Sequence, residues 1–313
     1  MVVGTWNLEN LFRPGGDDGP GDEQAYEAKL AELARVIGEI EPDVLAVQEV
    51  GDPEALDDLR ERLDGDWQAE TSEFPDARGI RAGFLSRLPF AEVEQVREFP
   101  EHLAPVQVDD EGATVAQMAR GVVRVRVRAA GRDVDLVSCH LKSKLLTFPG
   151  GRFQPRDEGE RARFGAYALY RRTSEAVTVR GYADELVDGE GRERAVIVLG
   201  DLNDEPPAAT TQILLGPPGS EIGTAGFDSD DQGDDWRLWN LGPLIPEERR
   251  FSRRFRGRGE LIDHLLVSHA LVHHVEQADT GPVEPPSITE DPADRREEPA
   301  SDHAPVWARF ALS

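Results

Sequence analysis

The sequence predicts an α/β protein in which two β-sheets pack together and helices lie outside them. Three observations carry this expectation. Apolar stretches of strand length recur in two runs along the chain, and each run is accompanied by segments with helical spacing. Both ends of the chain read as core strands, which argues for one unit spanning residues 1–313. No linker rich enough in Pro, Gly or Ser divides the chain, although it holds 22 Pro and 30 Gly.

In chain order, Val2 to Leu8 is an apolar strand, followed by a Gly/Asp loop from Pro14 to Asp22. Leu30, Leu33, Ile37 and Ile40 recur at helical spacing within Glu23 to Ile40, and Pro42 ends that helix. Asp43 to Val50 is a second apolar strand, and Pro53 to Leu63 a short helix. A strand-rich stretch follows, with Trp67 to Thr71, Arg81 to Ser86, Ala91 to Phe99, Val122 to Arg128 and Val134 to His140. The alternation from Val122 to Arg128 predicts a strand with one wet face. Leu141 to Glu158 is expected to be a long loop, Arg161 to Val187 a helix and Ala195 to Leu199 a strand. Further strands are predicted at Phe251 to Phe255, Leu261 to Val267, Val272 to Gln277 and Ala304 to Phe310, with a polar, Pro-rich mobile loop from Val283 to Pro299.

With 39% hydrophobic residues, a chain of 313 can bury roughly three-quarters of its unfolded surface. The net charge is -26, from 61 acidic and 35 basic residues. Such a surface repels polyanions over about 8 Å at physiological salt, which argues against a general nucleic-acid-binding face. Lysine is confined to Lys29, Lys142 and Lys144, so Arg supplies nearly all positive charge. The single cysteine, Cys139, excludes an intramolecular disulfide and reads as a buried apolar residue. No segment approaches the ~20 apolar residues of a membrane helix, and the N-terminus lacks the features of a signal peptide. A monomer without stable membrane insertion is expected, cytoplasmic, or secreted where a signal peptide has been removed.

Polar clusters close several of the apolar strands. They are Trp6-Asn7-Leu8-Glu9-Asn10, Gln48-Glu49-Val50, Ser138-Cys139-His140-Leu141-Lys142-Ser143, Gly200-Asp201-Leu202-Asn203, and the late pair Leu261-Ile262-Asp263-His264 and Ser301-Asp302-His303. Strand ends are where α/β folds build sites, because loops converge there over a rigid scaffold. Each cluster alone fits a solvated strand end or an Asx turn; their combination points to chemistry.

The set resembles the endonuclease/exonuclease/phosphatase superfamily, which includes pancreatic-type deoxyribonucleases, abasic-site exonucleases, neutral sphingomyelinases and inositol-polyphosphate 5-phosphatases. Gly200-Asp201-Leu202-Asn203 and Ser301-Asp302-His303 carry the resemblance most specifically, supported by Gln48-Glu49, Ile262-Asp263-His264, Ala82-Gly83-Phe84-Leu85-Ser86-Arg87 and Arg250-Phe251-Ser252. It implies a four-layer α/β/β/α sandwich of two mostly antiparallel sheets packed face to face, with the site at one end. It further implies that Glu49, with Asn7 and Asp302, holds one or two Mg²⁺ or Mn²⁺ ions, since hard cations favour carboxylate and amide oxygens. Asp263 would orient His303 as the base that activates water. Asp201 and Asn203 would orient that water or hold the phosphate, either directly or through a second metal. His140 would contact the phosphate, with protonation of the leaving oxygen as a further role. Arg120 and Lys142 would bind substrate.

Two positions depart from the deoxyribonuclease pattern. Gly51 stands where those enzymes carry a basic residue, and Ile80 where they carry a Glu that supports the first His. His140-Leu-Lys-Ser-Lys144 looks more like bacterial nuclease-like members. His264 should face away from Asp263, and His102, His269, His273 and His274 have no motif support. The basic segments Arg152 to Arg163 and Arg249 to Arg258 flank site motifs. The expected activity is metal-dependent hydrolysis of a phosphodiester, in a nucleic acid or nucleotide, by in-line attack of water. A phosphatase or phospholipase C-like enzyme on inositol phosphate or sphingolipid headgroups is the alternative, with Leu145 to Pro149 as a short apolar loop able to touch a membrane. A catalytically inactive binding protein on the same fold is the non-enzymatic alternative.

Overall fold

The structure is a computed structural model that describes residues 1–289 and 295–312. The chain runs β1 (Val2–Leu11), α1 (Glu23–Ile40), β2 (Val44–Val50), α2 (Pro53–Arg60), β3 (Gln68–Thr71), β4 (Arg81–Ser86), β5 (Glu92–Glu98), β6 (Val106–Gln107), β7 (Thr114–Val115), β8 (Gln117–Ala129) and β9 (Arg132–His140). It continues with α3 (Glu158–Val187), β10 (Ala195–Asp201), α4 (Ala209–Leu215), β11 (Leu238–Asn240), β12 (Arg253–Phe255), β13 (Arg258–Glu260), β14 (Asp263–Ser268), α5 (His269–Val272), β15 (Val275–Thr280), β16 (Ser287–Ile288) and β17 (Val306–Phe310).

Two six-stranded sheets form the centre, in the orders β15-β17-β1-β2-β4-β3 and β11-β14-β10-β9-β8-β5. Each has one parallel pair at its middle, β1 with β2 and β9 with β10, and its other pairs are antiparallel. Period-two alternation sorts the side chains into layers. Val3, Val44, Ala46 and Phe84 meet Val125, Leu136, Ile197, Leu199 and Leu265 between the sheets. On the outer face of the first sheet Trp6, Leu8, Leu45 and Val47 pack on Leu30, Leu33, Ile37, Leu56 and Leu59 of α1 and α2. On the outer face of the second, Val122, Val137, Val196 and Val198 pack on Ala176, Val179, Ala183 and Val187 of α3. The result is the expected α/β/β/α sandwich. Each fully buried aliphatic side chain contributes on the order of 1.5–3 kcal/mol.

Several elements differ from the sequence expectation. α3 starts at Glu158, not Arg161, because Asp157 caps it by accepting from the Glu160 amide at 2.8 Å. α2 stops at Arg60, short of Leu63. The strand expected from Val122 begins at Gln117 and carries Arg120 inside the sheet. Its wet face is not wet throughout: Arg124 is 2% exposed, held by Asp135 and by Glu92 at 2.8 Å. Residues 269–272 form the short helix α5, and the strand expected from Val272 starts at Val275. Within Val283 to Pro299, Ser287–Ile288 pairs with β12 and Arg295 is tied to Glu9, so the described part is anchored; residues 290–294 lie outside the described residues.

Candidate active site

The apolar layer between the sheets turns polar at one end. Along β1 the inward positions Val3, Thr5 and Asn7 alternate, as do Val44, Ala46 and Gln48 along β2 and Leu136, Ser138 and His140 along β9. Thr5 donates to Gln48 at 3.1 Å, and Gln48 donates to Ser138 at 3.3 Å, which stitches the sheets just below the site. One step further, Asn7, His140 and Asp201 meet at the carboxyl ends of the parallel pairs. Asp263 begins β14, which is antiparallel to β10 and sets Asp263 opposite Asp201 in register.

The site's backbone is unusual. Glu9, Asn10, Glu49 and Asn203 adopt left-handed φ angles of 50°, 53°, 60° and 53°. Such conformations cost non-glycine residues free energy and cluster at functional sites. At Glu49 the turn breaks strand alternation, and the pairing register shifts between Val47 and Val50. Its carboxylate thereby reaches inward, accepting from Asn7 Nδ2 at 3.1 Å and from the Asn10 amide at 3.0 Å. Gly200 is required by close approach, since a Cβ there would lie 1.9 Å from the carbonyl oxygen of Cys139.

Asn7 Nδ2 also donates to Asp201 at 3.1 Å, so one amide lies between two carboxylates. His303 Nδ1 lies 2.7 Å from Asp263 Oδ2, and both residues are buried. Asp263 is held by its own amide donating to Ser252 Oγ at 3.1 Å, while its Oδ1 is buried without a partner. His303 is positioned by Trp6 Nε1 donating to its carbonyl at 2.8 Å and by Ser301 Oγ, which accepts from its amide and donates to the Asn7 carbonyl. Asp302 Oδ1 stands 4.0 Å from His303 Nε2. Asp201, Asp263 and His303 bring one potential ligand atom each within 4.8 Å of one another. On the opposite wall, Arg120 Nη1 lies 2.9 and 2.8 Å from the two ring nitrogens of His140, whose Nε2 is 3.4 Å from Asp201. Asn203 donates from its amide to Asp201 at 2.8 Å and from Nδ2 to the Leu141 carbonyl at 3.0 Å.

Electrostatics divides the two histidines. Burial works against charge on His303, but Asp263, Asp302 and Asp201 outweigh it and push its pKa up to about 10. Burial, and then the Arg120 guanidinium, hold His140 well below the usual histidine value, so it is neutral. Burial, followed by repulsion from Asp263, raises Asp201.

The structure thus brings Asn7, Glu49, Arg120, His140, Asp201, Asn203, Asp263, Asp302 and His303 to one end of the sandwich. Lys142 is placed differently: Nζ donates to the carbonyls of Ser143 and Leu145, at 3.0 and 2.9 Å, so its ammonium braces its own loop. His264 faces outward as expected, with Nε2 2.9 Å from the Asp204 carbonyl. Cys139 is fully buried. Phe148 packs on Phe164 at 5.2 Å, although Leu145 beside it is exposed. In the basic run, Arg249 pairs with Asp279 and Arg254 with Glu284.

Four residues join the site without having been assigned a role from the sequence. Glu9 accepts from the Asp302 amide at 2.8 Å and is gripped by Arg295 at 2.8 and 3.0 Å, which fixes the loop before His303. Arg78 donates to Asn10 at 2.7 Å. Asp76 approaches Arg120 Nε at 3.9 Å, near the Ile80 position that departs from the deoxyribonuclease pattern. Lys29 is buried in α1; burial lowers its pKa against the attraction of Glu9, Asp302 and Glu49. At the other departure, Gly51, the Phe12 ring occupies the space a side chain would need, 2.1 Å from an added Cβ.

The donor set fits a hard divalent cation. Glu49 and Asp201 both accept from Asn7 Nδ2, a partial positive charge whose place a cation would take, and Asp201 also clusters with Asp263 and His303. Comparison with known proteins agrees with this fold. Solved structures with this fold include a mannosyl-6-phosphatase of Bacteroides thetaiotaomicron, 15% identical over 100% of both chains with a TM-score of 0.60. The human Nocturnin catalytic domain with bound sulfate anion is 14% identical over 100% of this chain and 94% of that one, with a TM-score of 0.58. Truncated TDP2 of Caenorhabditis elegans is 15% identical over 99% and 96%, also with a TM-score of 0.58. The search of curated protein sequences gives no match. The model of the endonuclease/exonuclease/phosphatase family matches residues 4–303, nearly the whole chain, and the chain therefore belongs to that family of phosphate-ester hydrolases.

Proposed function

We propose that the protein is a divalent-metal-dependent phosphodiesterase of nuclease type that hydrolyses its substrate by in-line attack of water. The observation that carries this reading is the buried Asp263–His303 pair, 2.7 Å apart, opening onto a carboxylate cluster that faces Arg120 and His140. Glu49 and Asp302 would hold Mg²⁺ or Mn²⁺, with Asp201 beside them, and Asn7 would join them through Oδ1 once its amide turns away from donating to Glu49 and Asp201. When bound, the cation would polarise a phosphoryl oxygen and offset the negative charge that keeps His303 protonated. Asp263 fixes the His303 tautomer by accepting at Nδ1, which aims Nε2 at the attacking water and lets it take that water's proton. Neutral His140 and the Arg120 guanidinium serve as donors to the non-bridging phosphate oxygens. The neutral state of His140 favours hydrogen bonding over protonation of the leaving oxygen. Asp201 and Asn203 position the water or the phosphate.

A phosphatase reading stays beside it for one reason: a net charge of -26 favours short phosphate esters over long polyanions. One panel tests both readings, using plasmid DNA, RNA, bis-p-nitrophenyl phosphate, an inositol phosphate and a sugar phosphate, each with Mg²⁺, Mn²⁺ or chelator. Diester hydrolysis that chelator abolishes supports the proposal. Turnover of monoesters alone, or turnover that survives chelator, overturns it.

A further inference from the structure

Beside the site, an open groove of about 310 Å³ runs between the loop before β4 and the start of β8. Asp76, Arg97, Val115, Met118, Ala119 and Arg171 are among the residues that line it. Its volume is at the lower end of small-ligand sites, roughly 300–1,000 Å³. The groove adjoins the phosphate position through two links. Ala119 directly precedes Arg120 in β8, and Asp76 borders both the groove and the Arg120 guanidinium, 3.9 Å from its Nε. The floor is apolar and the polar walls are cationic on balance, with two arginines against one carboxylate.

The two arginines are held in ways that leave donors for a ligand. Arg97 stacks over the Phe74 ring, 5.3 Å from its centroid, and lines the groove. Arg171 is steadied by Glu175 at 3.2 Å. Glu175 is 1% exposed, and it also accepts from the amides of Ala119 at 3.3 Å and Lys142 at 2.6 Å. It therefore ties the groove wall to the loop that follows His140. Asp76 is occupied by accepting from the Arg78 and Ile80 amides at 2.9 and 3.0 Å.

We infer that this groove holds the part of the substrate next to the scissile phosphate, and that Arg97 and Arg171 select substrates carrying a second anionic group there. The inference rests on the phosphodiesterase reading for its catalytic consequence, but not for binding. Arg is suited to this because its planar fork engages a phosphate or carboxylate bidentately. The apolar surface offered by Val115 and Ala119 would take the uncharged body that joins the two anionic groups.

The test has a kinetic and a binding arm. With Mn²⁺, kcat/KM is compared for dTpdT, pdTpdT and dTpdTp. A terminal phosphate on one side should raise kcat/KM by about 10-fold or more, and Arg97→Ala and Arg171→Gln should each bring that ratio towards one, with Arg97→Lys recovering part of it. Thermal midpoints check that the variants fold. In chelator, calorimetric titration with thymidine 3′,5′-bisphosphate should show binding that Arg97→Ala weakens by about 10-fold. Turnover of the dinucleotides with no preference for a terminal phosphate, or a preference that both variants retain, overturns the groove assignment. Bisphosphate binding that is absent, or indifferent to Arg97, does the same. Arginine-dependent binding without turnover of any diester would leave the groove standing and remove the phosphodiesterase reading.

Discussion

Asp263 and Asp302 bracket the His303 ring, at 2.7 Å from Nδ1 and 4.0 Å from Nε2, and the ring sits in a buried setting that by itself disfavours charge. The carboxylates win, so the folded pKa is near 10 against about 6.5 in the unfolded chain. The stability that this group contributes is fully present below about pH 6.5 and is lost as pH rises through 10. Asp201, raised by burial and then by Asp263, adds a loss of the same sign at lower pH. Metal-free protein in chelator should therefore lose stability between pH 7 and 9, by up to about 1.4 kcal/mol per pH unit, and His303→Gln should flatten that slope. Denaturant titrations at each pH measure it, and a midpoint that does not move contradicts the assignment. In the metal-loaded enzyme, His303→Ala should lower kcat by about 10²-fold or more, and Asp263→Asn should also lower it. Near-wild-type turnover by either folded variant argues against the dyad. At this scale the polar strand ends were legible, because Asn7, Glu49, His140, Asp201, Asp263 and His303 each close or open an apolar run. Glu9 and Lys29 were not. Glu9 acts through a left-handed backbone and an arginine 286 residues away, and Lys29 sits among ordinary helical periodicity in α1.

The elements deliver these residues through caps, turns and close approaches. Asp157 caps α3, the 30-residue helix that carries Arg171, Arg172 and Glu175 to the loop after His140. Asp157→Ala should cost about 1 kcal/mol of stability, and circular dichroism melts check it. Gly200→Ala should be worse, since the added methyl meets the β9 backbone at 1.9 Å and the central parallel pair has to part. A variant with wild-type stability and activity contradicts that packing. Long elements with a clear period, α1, β2, β9 and β10, were readable from sequence to within a residue or two. The three-residue β11 and the seven-residue α4 were not, because runs so short leave no period to detect. The start of β8 was hidden for a different reason: Gln117 to Arg120 holds only two apolar residues between two polar ones and does not alternate, and only the fold shows that it forms one wall of the site.

At the level of the whole molecule, the two sheets repeat one plan. Each has a central parallel pair flanked by antiparallel strands, and the site forms where the carboxyl ends of both pairs meet. Sequence indicated two sheets, but not their strand order, because β17 inserts between β15 and β1 from the far end of the chain. That closure binds both termini into one sheet. We therefore expect one cooperative unfolding transition, with near- and far-ultraviolet circular dichroism coinciding; two separated transitions would contradict a single unit. The convergence of both sheets on one cation-holding cluster is the central claim, and Glu49 tests it most directly. Calorimetric titration of wild type and Glu49→Gln with Mn²⁺ should show one or two ions bound by wild type, with affinity reduced by about 10-fold or more in the variant. An unchanged Mn²⁺ isotherm in Glu49→Gln would contradict the account.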